Sequence, residues 1–186
     1  ALRVIDSAAA TATLAAQVPD DHGVYLVPAF VGLGAPYWEP NARGVLCGLT
    51  LGASAAHLAR AALESVAYQT LDLTTAMERD GARRAEAFRV DGGMAANDWF
   101  CQFLADVLDA RVERPVELET TALGAAFLAG LAAGVWKDLQ SVAATWHKAA
   151  EFFPSMPAAR RATLVAGWRD AIARTLLPAA AGPERR

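Results

Sequence analysis

Short apolar runs alternate along the chain with longer stretches in which apolar residues recur every three or four positions. Val24-Tyr25-Leu26-Val27-Pro28-Ala29 is rich in β-branched and aromatic residues and predicts a buried strand; Gly44 to Thr50 predicts a second. Ser54 suits the N-cap of a long helix running to about Arg79, with Leu58, Ala62, Val66, Leu73 and Met77 at helical spacing as its buried stripe. A turn at Asp80-Gly81 leads into a strand ending in Asp91, followed by a helix from Asn97 to Leu108. Arg111 to Val116 predicts another strand, stopped at Pro115, and Thr120 or Thr121 caps a Gly/Ala-rich helix that ends at Trp136. Everything beyond is expected to be helical, punctuated by Pro154, Pro157 and Pro178. Arg160 to Leu177 forms the terminal amphipathic helix, with Leu164, Val165, Trp168, Ile172 and Leu176 on its apolar side. Residues 1–17 carry an alanine-rich helical pattern, and the residues after Pro178 predict a disordered tail.

The order is two strands, long helix, strand, helix, strand, helix and a helical C-terminal tail, which is the α/β class with central elements alternating as crossover units do. The chain is 54% hydrophobic, and much of that excess is alanine. Close-packed helices account for it, or a face meant to be covered by something else. A net charge of −3 offers no basic stripe for a nucleic acid. Cys47 and Cys101, with the scattered His22, His57 and His147, have no zinc-binding spacing and read as free thiols in a reducing cytosol. The uncharged stretch Thr120 to Trp136 sits at the short limit for a membrane span and is Ala and Gly rather than Leu and Ile. Its Gly130-x-x-x-Gly134 therefore reads as a helix pressed close against a sheet, and no membrane partner is expected.

The run with most chemistry is Phe88-Arg89-Val90-Asp91-Gly92-Gly93-Met94-Ala95-Ala96-Asn97: strand, double-glycine turn, helix start. Adjacent glycines let the backbone approach a ligand, and a helix start offers unpaired N–H groups, so a nucleotide phosphate could sit there. The same pattern is also plain chain reversal. Asp91 could serve as a base or a magnesium ligand; a carboxylate that orders the Gly-Gly turn is the preferred reading. Glu64 and Gln69 read as polar groups satisfied against the sheet or a neighbouring domain, and His57 as solvated. Tyr37, Trp38 and Arg43 place a cation near two aromatics, which suits an interdomain or subunit contact.

Four segments taken in order carry a resemblance. They are Val27-Pro28-Ala29-Phe30-Val31-Gly32-Leu33-Gly34-Ala35-Pro36-Tyr37-Trp38 with Pro40 and Ala42-Arg43-Gly44; Leu63-Glu64-Ser65-Val66-Ala67-Tyr68-Gln69-Thr70; Arg89-Val90-Asp91-Gly92-Gly93; and Thr121-Ala122-Leu123-Gly124-Ala125-Ala126. Over about residues 23 to 140 the chain resembles the C-terminal domain of the FGGY carbohydrate kinases, and Gly34 to Trp38 is most similar to the branch that phosphorylates glycerol. The resemblance implies a ribonuclease H-like fold of the actin/Hsp70/hexokinase type, a mixed sheet flanked by helices. It implies ATP as cofactor with Mg²⁺ bound through its phosphates, and nucleotide contacts at Gly93 and Asn97 with Gly92 forming the turn. The polyol substrate and the catalytic aspartate are then expected in an N-terminal kinase domain missing from this chain, which has no Gly-Asp-Gln motif. The expected layout is a helical segment over 1–22 continuing from that missing part, the nucleotide-binding domain over 23–140, its C-terminal helices over 141–178 and a disordered tail over 179–186. The intact enzyme is expected to be a cytoplasmic homo-oligomer, and the isolated chain inactive. The alternatives are a pentulose or other polyol kinase of the same family, or a non-catalytic stand-alone domain with a structural or partner-binding role.

Overall fold

A computed structural model describes residues 5, 7–18 and 23–177. They fall into two compact units, one built from residues up to Ala82 together with those from Pro157 onward, the other from Arg83 to Met156. The helical segment expected over 1–22 lies partly, and the tail over 179–186 wholly, outside the described residues.

In the first unit the short helix α1 (Ala10–Ala16) and the long helix α2 (Ala55–Arg79) pack together, and α2 also covers strand β1 (Tyr25–Val27). Strand β2 (Val45–Cys47) pairs antiparallel with β1, Leu26 opposite Leu46, and helix α6 (Ala158–Leu176) packs on both strands. Ser54 caps α2 as expected, in a capping box completed by the His57 ring, so His57 has a cap role and is not merely solvated. The stripe expected on α2 is rotated. Leu73 and Met77 are exposed, while the buried face is Ala56, Ala59, Arg60, Leu63, Glu64, Ala67 and Tyr68. Small alanines let α1 and β1 approach closely, and a charged pair occupies the centre. Arg60 Nε meets Glu64 Oε1 at 2.7 Å with both side chains almost fully buried, and Arg60 Nη1 also donates to the Val18 carbonyl. Tyr68 stacks on Trp168 of α6 with centroids 5.2 Å apart. Leu164, Trp168 and Ile172 are buried as the amphipathic pattern of α6 predicts.

In the second unit β3 (Ala87–Arg89) runs parallel to β4 (Arg111–Pro115), with Phe88 opposite Val112, and helix α3 (Asp98–Leu108) makes the crossover between them. Phe100, Cys101, Phe103, Leu104, Val107 and Val112 form its core. A third strand, β5 (Lys148–Phe152), pairs antiparallel with β4, which corrects the expectation of helices throughout the C-terminal third. Across this sheet Arg89 pairs with Glu113, Arg111 with Glu151 and Lys148 with Glu113, at 3.2–3.8 Å, so β5 is held by cross-strand charge as well as by apolar alternation. The connection holds helix α4 (Thr120–Ala132) and the short α5 (Leu139–Ala143).

The Gly130-x-x-x-Gly134 reading is corrected as well. Gly130 makes room for the Trp136 ring, which meets Phe127 edge-on at 5.0 Å, and Gly134, with φ 76°, turns the chain after α4. Neither glycine faces the sheet. Cys47 and Cys101 are free thiols.

Candidate functional site

The turn after β3 lies where the two parallel strands deliver their carboxyl ends, the usual position of ligand crevices in parallel α/β sheets. Val90 N donates to the Glu113 carbonyl at 3.0 Å, extending the pairing one residue, and Gly92 N donates to the Leu118 carbonyl at 3.0 Å. Gly92 has φ 79°, a left-handed conformation that a side chain resists. From it springs a single 3-10 turn, Gly93–Ala96, and Asn97 then starts α3. The helix starts at Asn97 as expected, and Asn97 is its N-cap: Oδ1 accepts from Phe100 N at 3.1 Å, which leaves the amide nitrogen as the group it can offer elsewhere.

Gly93 is different from Gly92. Its φ lies outside the left-handed range, and nothing comes within 4 Å of the place a Cβ would occupy. Asp91 is exposed, and its Oδ2 accepts from the Thr120 hydroxyl. That bond joins the start of the glycine turn to the start of α4, in keeping with an ordering role. It also corrects the reading of Thr120 and Thr121 as caps: Glu119 precedes the helix, and no side-chain cap bond is made there. Gly92, Gly93, Asp91 and Asn97 are thus brought together on one surface of the second unit.

Beneath the turn lies a residue that sequence reasoning missed. Arg114 of β4, its side chain 17% exposed, donates from Nη1 to the Ala95 carbonyl at 2.9 Å and to Asp98 Oδ1 at 2.6 Å. The signal available was an arginine between Val112 and Pro115 in a strand, at a position where an apolar residue would be ordinary. Cys101 Sγ donates to the same Ala95 carbonyl at 3.3 Å, and burial pushes its thiol up to about 11, with the Arg114 guanidinium pulling the other way. A second missed carboxylate is Asp106 of α3. Buried, it accepts from Ser155 N at 2.6 Å and Met156 N at 3.0 Å, fastening the chain that leaves β5.

In the first unit, Tyr37 Oη and Trp168 Nε1 both donate to Asp72 Oδ2, at 2.8 and 2.7 Å. Burial first, then this hydrogen bond to a carboxylate, raises the Tyr37 hydroxyl well above its usual range. Trp38 is exposed with φ 52°, and Arg43 donates to the Pro40 and Ala42 carbonyls. Arg43 therefore braces its own loop. No described trio of His, Cys, Asp or Glu converges to hold a metal, and no described helix is long and apolar enough to cross a membrane.

A parallel strand–helix–strand unit with an open glycine turn at its strand ends, in a chain whose other unit packs helices on a strand pair, is the architecture of an actin/hexokinase-type ATPase domain. Comparison with known proteins narrows the class. A sequence model of the FGGY family of carbohydrate kinases, C-terminal domain, matches residues 2–133, and the chain belongs to that family. It is 60% identical over 179 residues to the glycerol kinase of Gluconobacter oxydans, covering 96% of this chain and 35% of the relative. It is 51% identical to glycerol kinase 2 of Thermotoga maritima, covering 94% and 35%. The crystal structure of Plasmodium falciparum glycerol kinase with ADP superposes with a TM-score of 0.82 at 34% identity, over 95% of this chain and 35% of that one. A xylulose kinase from Lactobacillus acidophilus shares the fold at 24% identity with a TM-score of 0.74. The chain spans about 35% of the length of the curated relatives it matches.

Proposed function

We propose that this chain is the C-terminal, ATP-binding part of a glycerol kinase, which in its intact form converts ATP and glycerol to ADP and sn-glycerol 3-phosphate. The observation that carries this is Gly93, a glycine that its own chain does not require. No positive φ and no crowding neighbour calls for it, yet it sits open beside Asn97 at the carboxyl ends of parallel strands. A planar ligand laid along that backbone does require it. The likeness to a kinase solved with ADP supports the same reading.

In this role Gly92 shapes the turn, Gly93 leaves backbone space for the nucleotide, and the Asn97 amide donates to it. Magnesium, carried on the nucleotide phosphates, supplies neutralisation of the charge that develops during phosphoryl transfer. The glycerol hydroxyl oxygen bonds to the γ-phosphorus, the bond to the ADP oxygen breaks, and the hydroxyl proton passes to a base. The family resemblance assigns that base and the polyol site to an N-terminal domain. Helix α4 is in keeping with such a partner, being apolar along its length with only Gly130 buried. The intact enzyme in this reading is a cytoplasmic homo-oligomer.

Calorimetry with ADP–Mg²⁺ tests the proposal, on the chain alone and with the N-terminal part of the Gluconobacter oxydans relative supplied in trans. Binding that is lost in Gly93→Trp, with the thermal midpoint unchanged, is the expected result. Absence of binding in both settings sinks the nucleotide role and leaves a structural or partner-binding domain.

A further inference from the structure

Resting on the nucleotide reading of Gly93 and Asn97, we propose that Arg114 is a positioning residue for nucleotide binding, which it serves by fixing the Gly93–Asn97 segment from the strand below. The segment is short and solvent-facing; Gly93, Met94 and Ala96 are all exposed. Two consecutive glycines at its start make it entropically costly to hold in one geometry. At the two ends of this single 3-10 turn, Ala95 N donates to the Gly92 carbonyl and Asn97 N to the Met94 carbonyl, each at 3.0 Å.

Those bonds are local, and Arg114 adds a tie to the strand below. A single nitrogen, Nη1, reaches both the Ala95 carbonyl, two residues past Gly93, and the Asp98 carboxylate, the residue after Asn97. The two contacts bracket Asn97 and lie on the C-terminal side of Gly93, coinciding with neither proposed nucleotide contact. The strand holds the donor in place: Val112, two residues earlier on β4, is fully buried and registered between Phe88 and Phe152. The guanidinium also lies 5.5 Å over the Phe152 ring of β5. Ala95 itself is buried, so its carbonyl cannot turn to water in exchange. A loop that is already in its binding geometry loses less entropy on meeting a ligand, and the gain appears as affinity.

The experiment measures ADP–Mg²⁺ affinity by calorimetry under the conditions that give wild-type binding, alongside the thermal midpoint without nucleotide. Arg114→Met, which can still pack against Phe152 but removes both hydrogen bonds, is expected to weaken ADP about tenfold. Arg114→Lys keeps a donor and a charge, and is expected to stay within about threefold of wild type. Asp98→Asn serves as the second variant, should Arg114→Met fold poorly. It breaks the ion pair at its exposed end and is expected to weaken ADP about threefold with the midpoint unchanged. Wild-type affinity in both Arg114→Met and Asp98→Asn overturns the positioning role, as does a loss of binding that only follows the unfolded fraction. Gly93→Trp separates the two ideas. If it binds ADP like wild type, the nucleotide reading itself fails; if it alone loses binding, that reading stands and only the role of Arg114 falls.

Discussion

At the scale of single residues, neighbours with identical side chains do different work. Gly92 needs its missing Cβ for the backbone, because φ is 79°, whereas Gly93 has open space and an ordinary backbone. Gly92→Ala is therefore expected to lower the unfolding free energy by roughly 1–3 kcal/mol, the cost of an L-residue at positive φ with extended ψ. Gly93→Ala should leave it within about 0.5 kcal/mol. Urea unfolding of the two variants checks the contrast. Cys101 offers a pH test. Its folded thiol is raised to about 11, while an unfolded thiol releases its proton at roughly 8.5. The raised value means that its contribution to stability is complete below about pH 8.5 and is lost as pH climbs towards 11. Urea midpoints collected across that window should fall in the wild type, and fall less in Cys101→Ala.

At the scale of elements, α2 shows how tertiary packing overrides a hydrophobic pattern. Leu58, Ala62, Val66, Leu73 and Met77 form an obvious stripe, yet the helix buries alanines, Tyr68 and the Arg60–Glu64 pair. The pair joins i and i+4 on one face, and its burial is possible because Arg60 has a second acceptor in the Val18 carbonyl. Arg60→Met takes the guanidinium from the buried Glu64 carboxylate and should lower stability by about 3–5 kcal/mol. The double change Arg60→Met with Glu64→Leu should recover much of this, read by the same unfolding curves. Strand β5 was hidden from sequence for a related reason. Lys148-Ala149-Ala150-Glu151 has little β-propensity, and what makes it a strand is cross-strand pairing to Glu113 and Arg111 on β4. Asp106 works likewise between elements. Asp106→Ala leaves the Ser155 and Met156 amides without their acceptor and should cost about 1–3 kcal/mol.

At the scale of the whole molecule, local signals sufficed for several local features, though not for the start of α4, where neither Thr120 nor Thr121 caps the helix. The Ser54 cap, the Asn97 cap and the strand–glycine–helix order follow from residues within a few positions of one another, where backbone sterics and orphan N–H groups act. The resemblance to FGGY kinases was legible for the same reason, since its segments are contiguous. Long-range partners were not. Asp72 shared by Tyr37 and Trp168, Asp106 gripping Ser155, and Arg114 beneath Ala95 each join residues 19 to 96 positions apart. No periodicity encodes such a meeting; only the folded chain brings donor and acceptor within 3 Å and takes water away. The amino-acid sequence by itself determined the family, the order of elements from β1 to α4 and the glycine turn. Tertiary structure decided which face of α2 is buried, that β5 exists, and that the turn is held from below by an arginine. Burial and hydrogen-bond partnership are properties of surroundings that distant residues supply.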